Sequence, residues 1–157
     1  MDNLQIEKVY QRFVEANYEI CTDTRSVKKG ALFFALKGEN FNGNTYASKA
    51  LELGCSFAVI DEATDSDSSK TLRVSDVLTT LQNLATFHRK KFDIPVLALT
   101  GSNGKTTSKE LINACLSEEF EVLATLGNLN NHIGVPLTLL RLRPHHQLAI
   151  IEMGANH

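Results

Sequence analysis

The apolar residues of this chain form two kinds of pattern, helical stripes and short buried runs, and their alternation predicts an α/β protein. Ile6, Val9, Tyr10 and Phe13 recur at helical spacing, so a first helix is expected from a cap at Asp2 or Asn3 to about Asn17. Residues 18–21 and 31–36 are apolar runs short enough for strands. Thr45 stands where it can cap a helix reaching Leu53, Gly54 stops that helix, and 57–60 reads as the next strand. After an acidic, serine-rich connection over 61–70 comes a short strand at 72–74. Asp76 then opens a helix with Val77, Leu78, Leu81, Leu84, Ala85 and His88 on one face, where His88 reads as a helix-face residue rather than a ligand. Pro95 precedes the run 96–99, expected as a central parallel strand. A helix from Thr106 to about Ser117 follows, with Leu111, Ile112, Cys115 and Leu116 at core spacing, and 121–124 and 148–151 read as further parallel strands. The break at Asp93-Ile94-Pro95 divides the chain into two expected domains, 1–93 and 94–157.

Between strand 96–99 and the next helix lies Thr-Gly-Ser-Asn-Gly-Lys-Thr-Thr. A strand running into a glycine loop that opens a helix is built to hold phosphate: Gly101 and Gly104 let the backbone turn its N–H groups toward an anion, and the helix presents its positive end. Lys105 adds a mobile charge for the outer phosphates, and the Thr106 hydroxyl suits Mg²⁺. Thr100, Gly101, Ser102, Asn103, Gly104, Lys105, Thr106 and Thr107 are therefore candidate ATP- and phosphate-binding residues. The loop is a variant of the strict pattern, because Leu99 stands where that pattern has its first glycine. Glu152, just past the third strand, stands where ligands bind in open α/β sheets and is a candidate to hold Mg²⁺ directly or through water. The amide-rich loop 125–136 invites polar recognition or is a long turn with local Asx bonds, and 38–44 is either a connection or a hydrogen-bonding ligand loop.

Composition narrows the class without adding chemistry. The chain has 157 residues, 43% hydrophobic and 22% charged with a net charge of −2, which gives no electrostatic footprint for nucleic acid. Cys21, Cys55 and Cys115 lie far apart without C-x-x-C spacing, so reduced thiols are expected rather than a disulfide framework or zinc site. No run approaches the ~18 apolar residues of a membrane span, and no basic-then-apolar leader opens the chain, so a cytoplasmic protein is expected.

Three motifs in this order and spacing, at 100–107, at 127–136 (Gly-Asn-Leu-Asn-Asn-His-Ile-Gly-Val-Pro) and at 152–157 (Glu-Met-Gly-Ala-Asn-His), resemble the Mur ligase family. Asp-Thr-Arg-Ser-Val at 23–27 with Gly-Ala-Leu-Phe-Phe-Ala-Leu-Lys-Gly at 30–38 is similar to that family's UDP-binding N-terminal domain. The resemblance implies a small N-terminal UDP-binding α/β domain followed by the first part of a P-loop parallel-sheet domain. It implies an ATP- and Mg²⁺-dependent ligase of peptidoglycan precursor synthesis that joins D-alanyl-D-alanine to UDP-N-acetylmuramoyl-tripeptide through an acyl phosphate. Lys105, Thr106 and Glu152 would be catalytic, with Thr106 and Glu152 anchoring the metal. Thr24, Arg25, Ser26, Gly38, Asn42, Gly43 and Asn44, together with Asn128, Asn131 and His132, would contact the UDP substrate. Asn42 and Asn44 depart from the Asp and His that relatives often carry. The family's later domains are absent from these residues, so the chain alone is expected to be inactive and, with an open sheet edge, to self-associate, whereas the full-length enzyme would be a monomer. A non-catalytic UDP-sugar-binding module and another Mur ligase, such as the tripeptide synthetase, remain the alternatives.

Overall fold

The computed structural model describes residues 3–64 and 68–154. The cap expected at Asp2, residues 65–67 of the acidic connection, and Ala155, Asn156 and His157 of the last motif lie outside the described residues. The chain forms two compact units, one up to Leu84 and one from Ala85.

The first unit opens with α1 (Asn3–Glu15), whose Ile6, Val9, Phe13 and the following Ala16 are buried. The helix stops at Asn17 and Tyr18, both in the left-handed region with φ of 51° and 60°. Tyr18 N–H then returns to the Phe13 carbonyl at 2.9 Å. Four parallel strands follow: β1 (Ile20–Cys21), β2 (Leu32–Phe34), and, after an antiparallel hairpin of β3 (Lys37–Gly38) with β4 (Phe41–Asn42), β5 (Phe57–Ile60) and β6 (Thr71–Arg73). Their order in the sheet is β1-β2-β5-β6. The strand expected over 31–36 is shorter in the ladder, because beyond Phe34 the chain bends back, Leu36 N–H meeting the Phe34 carbonyl at 2.9 Å, to launch the hairpin. Cys21 and Cys55 are free thiols buried in one apolar cluster with Phe33, Ala58 and Ile60.

The helix expected from Thr45 starts differently. Asn42 accepts from Asn44 N–H at 3.0 Å and opens a 3-10 turn, Gly43–Tyr46, that runs into α2 (Ala47–Glu52). Gly43 is required there by packing, since a Cβ would fall onto the Leu36 and Ala35 main chain. α3 (Val77–Arg89) buries Val77, Thr80, Leu81, Leu84, Ala85 and His88, and Asp76 caps it by accepting from Thr79 N–H at 2.6 Å.

The second unit is built on a parallel sheet of β7 (Val96–Leu99), β8 (Val122–Ala124) and β9 (Leu148–Glu152), with α4 (Lys105–Leu116) and α5 (Gly134–Leu139) in the crossovers. The middle strand is β9, not β7: the order is β7-β9-β8, and Val96 and Leu97 stay exposed while Ala149, Ile150 and Ile151 are buried. All three strands are equally apolar, so composition cannot rank them. α4 also turns a different face inward than its apolar residues suggest. Of the four residues expected in the core, Leu111 and Cys115 are exposed and Ile112 and Leu116 are half-buried, and the helix's one fully buried side chain is Lys109. His88 sits in the core, its Nε2 3.0 Å from the Leu142 carbonyl and its ring edge-on to Phe92. No described helix is long and apolar enough to cross a membrane.

Candidate functional sites

Parallel strands in register bring their C-terminal ends to one edge, and Leu99 is opposite Glu152 while Ala124 is opposite Ile150. The loops after β7 and β8 therefore meet at the end of β9. The loop after β7 turns through Gly101 and Gly104, with φ of +142° and +76°, and α4 begins immediately beyond. Neither glycine is crowded, so it is the backbone conformation that calls for glycine at both. Ser102, Asn103, Gly104, Lys105, Thr106, Thr107, Asn130 and Glu152 line an open cavity of about 270 Å³. Six of the eight loop residues expected from the sequence thus line one cavity. Thr100 and Gly101 lie behind it, where Lys105 Nζ folds back to donate to the Gly101 carbonyl.

Glu152 is 1% exposed. Its Oε1 accepts from Thr106 Oγ at 3.2 Å and from Asn130 Nδ2 at 2.8 Å, and its main-chain N–H donates to Thr125 Oγ at 2.9 Å. Its Oε2 is buried without a hydrogen-bond partner among the described residues. Burying a carboxylate oxygen so is costly unless something else satisfies it. With a hydroxyl and a carboxylate at the mouth of a glycine loop, the oxygen donors present fit Mg²⁺, which takes its remaining ligands from phosphate and water.

The amide-rich loop after β8 divides its labour. Asn131 Oδ1 accepts from Ile133 and Gly134 N–H at 3.1 and 2.8 Å and so starts α5, whereas Asn130 reaches Glu152. The sequence pointed to Asn128, Asn131 and His132; none of these lines the cavity, and Asn130 does. Adjacent asparagines cannot be told apart by spacing.

In the first unit, Thr22, Asp23, Thr24, Arg25, Phe33, Phe41, Tyr46 and Lys49 line a cavity of about 550 Å³. Asp23 accepts from Arg25 N–H at 2.9 Å and from its guanidinium at 2.6 to 3.0 Å. Those hydrogen bonds hold the carboxyl at about 2. Thr24 and Arg25 line the cavity, whereas Ser26 turns back to the Asp23 carbonyl and Gly38 lies in exposed β3. Asn44, 3% exposed, spends its amide within the protein: it donates to Asn42 and Asp61 at 2.9 and 2.8 Å and accepts from the Asp61 and Glu62 N–H groups. Asn42 likewise donates to Glu62 at 2.8 Å. Burial alone would raise the Asp61 carboxyl, yet Lys37, Asn44 and the Val77 N–H together bring it below its ordinary range. What sequence reading missed in this cavity is Lys49 and the aromatic pair Phe41 and Tyr46, stacked at 5.2 Å with rings 19° from parallel. Two exposed aromatics flanking Gly43 were the available signal.

Residues 18–91 match the model described as the Mur ligase family, catalytic domain, and residues 99–157 match the Mur ligase middle domain. UDP-N-acetylmuramoyl-tripeptide--D-alanyl-D-alanine ligase of Synechocystis is 46% identical over 86% of this chain and 30% of its own length. The ligase of the same name from Escherichia coli is 45% identical over 88% of the chain and 30% of its own length. The crystal structure of MurF from Acinetobacter baumannii superposes with a TM-score of 0.83 at 41% identity, over 88% of this chain and 31% of that one. The MurF ligase of Thermotoga maritima, in complex with ADP, gives 0.80 at 30% identity over 88% and 32%. The chain thus spans about 30% of the length of these relatives. With residues 18–91 and 99–157 both matched by models of one family, the chain belongs to the Mur ligases.

Proposed function

We propose that this chain supplies the nucleotide-sugar pocket and the phosphate loop of an ATP-dependent ligase that joins D-alanyl-D-alanine to UDP-N-acetylmuramoyl-tripeptide in the cytoplasm. Residues 1–93 are read as the UDP-substrate domain and 94–157 as the start of the ATP-binding domain. The observation that carries the reading is Glu152: a buried carboxylate with one oxygen tied to Thr106 and Asn130 and the other without a hydrogen bond, at the mouth of a glycine loop that opens a helix.

A carboxylate is a poor electrophile until one of its oxygens becomes a phosphate leaving group, and transferring the γ-phosphoryl group to it brings two anions together. The N–H groups of the loop and the N-terminus of α4 would hold the phosphates. Lys105, released from the Gly101 carbonyl, would follow the migrating phosphoryl group. Thr106 and Glu152 would hold Mg²⁺, which when bound offsets charge between the phosphates. The attacking amine of D-alanyl-D-alanine then displaces phosphate, leaving an amide. In the first unit, Thr24, Arg25 and Lys49 would meet the diphosphate, and the exposed Phe41–Tyr46 pair offers an aromatic face to the uracil ring.

The test is phosphate release by the protein at the length its relatives have. Release is expected only when ATP, Mg²⁺, UDP-N-acetylmuramoyl-tripeptide and D-alanyl-D-alanine are all present, and Lys105→Ala should abolish it. Release that survives Lys105→Ala, or that does not need the dipeptide, would refute the reading. The 157-residue chain by itself is expected to bind the nucleotide sugar without turnover.

A further inference from the structure

Lys109 is 0% exposed, one turn along α4 from Thr106 and on the same face. Its ammonium donates to the Thr125 carbonyl at 2.8 Å and the Gly127 carbonyl at 3.3 Å, and pairs with Glu110 at 2.9 Å. Those three partners use all its protons. Glu152 Oε2 lies 3.9 Å away, within reach of the charge but outside hydrogen-bonding distance.

Lys109 therefore does two things at once. It gives the buried carboxylate an opposite charge without occupying a lone pair of Oε2, and it ties the loop that carries Asn130 to the helix that carries Thr106. The contacts close a ring: Thr106 to Glu152, Glu152 to Asn130, and the loop from 125 to 130 back to Lys109. We infer that Lys109 is a positioning residue for the cation site, an internal ammonium that holds Glu152 in its buried place and leaves its Oε2 open so that a divalent cation can bind there with the nucleotide. This rests on the reading of the cavity as a Mg²⁺–nucleotide site.

The lysine does not line the cavity, so its removal should act on cation affinity and leave the phosphate cradle alone. In the protein at its natural length, Lys109→Met should weaken Mn²⁺ binding in the presence of ADP by about ten- to a hundredfold, the range for residues that orient metal ligands. Mn²⁺ is read by electron paramagnetic resonance and metal-free ADP affinity by calorimetry. Metal-free ADP affinity should stay within about twofold, which a general collapse of the loop would not allow. Lys109→Arg, which keeps the charge, should recover part of the Mn²⁺ affinity. Equal Mn²⁺ affinity in Lys109→Met and the unsubstituted protein would overturn the inference alone, as would a parallel loss of metal-free ADP binding. An unsubstituted protein that binds ADP with no effect of Mn²⁺ would remove the metal site and this inference with it.

Discussion

Gly134 is the position where the least change should do the most damage. A Cβ there would lie 2.5, 2.6 and 2.7 Å from the carbonyl carbon, Cα and carbonyl oxygen of Leu129, where ordinary contact begins at 3.4 Å. Main chain must therefore give way by about 0.7–0.9 Å, and none of the obstructing atoms belongs to a side chain that could rotate aside. Overpacking of this kind costs about 1–3 kcal/mol, and main-chain obstruction puts Gly134→Ala toward the upper end. Alanine's preference for helix returns up to about 1 kcal/mol at this first residue of α5. The net loss of about 1–2 kcal/mol corresponds to a melting temperature lower by about 5–15 °C for a unit of this size. Because Leu129 precedes Asn130, the same displacement pulls the Asn130 amide from Glu152, so Mn²⁺ affinity should fall alongside stability. Gly104→Ala is the control: at φ +76° with nothing within 4 Å of the added Cβ, it carries backbone strain but no overlap, and should melt above Gly134→Ala. Scanning calorimetry decides. A Gly134→Ala chain that melts at or above the unsubstituted temperature, or above Gly104→Ala, refutes the packing argument.

Burial holds His88 below its ordinary 6.5, and the nearby Arg143 and Lys91 push the same way against the Leu142 carbonyl. The unfolded chain therefore takes up a proton first as pH falls, so the contribution of His88 to stability should be complete above about pH 6.5 and decline below it; His88→Gln should flatten the decline just below pH 6.5, leaving the part due to His146, which burial also lowers, and, at lower pH, that of the depressed carboxyls of Asp23, Asp61 and Glu62. Equal slopes for both proteins in pH-dependent urea unfolding would show that His88 does not titrate on unfolding. Asn44→Ala strands the Asp61 and Glu62 N–H groups and a buried carboxylate partner, and should cost about 2–3 kcal/mol in urea unfolding; a loss no larger than that of an exposed polar residue would refute the clamp. Tyr46→Ala should weaken UDP binding by about 1–3 kcal/mol in calorimetry, the range for base stacking on an aromatic, and unchanged affinity would place the uracil elsewhere.

How much of this was legible in the sequence follows from the range over which each feature is determined. The strand at Phe57–Ile60 and the glycine loop before α4 were readable because each depends on neighbours a few residues away: an apolar run bounded by turns, and glycines at the two positions that need positive φ. The hairpin and 3-10 turn before α2 were not, since Asn44 forms its network with residues 17 and 18 positions downstream. Sheet order was hidden for the same reason, with β9 inserting between two strands that precede it.

Lys109 shows the limit most sharply. On α4 the apolar rule selects Leu111 and Cys115 as core, and both are exposed, while a lysine that the same rule assigns to solvent is the most buried side chain of the helix. Periodicity measures what a side chain would gain by leaving water, and it carries no record of a carbonyl 16 residues on, or of a carboxylate on another strand, that makes burial of an ammonium affordable. A site that needs a buried charge must break the apolar pattern locally, so the place where the helix pattern fails on α4 coincides with the place where Glu152 needs a counter-charge. The misassigned face of α4 is thus itself the signal: had Leu111 and Cys115 been buried as their spacing suggests, Lys109 would point away from Glu152, and the carboxylate would have no cation 3.9 Å from its unbonded oxygen.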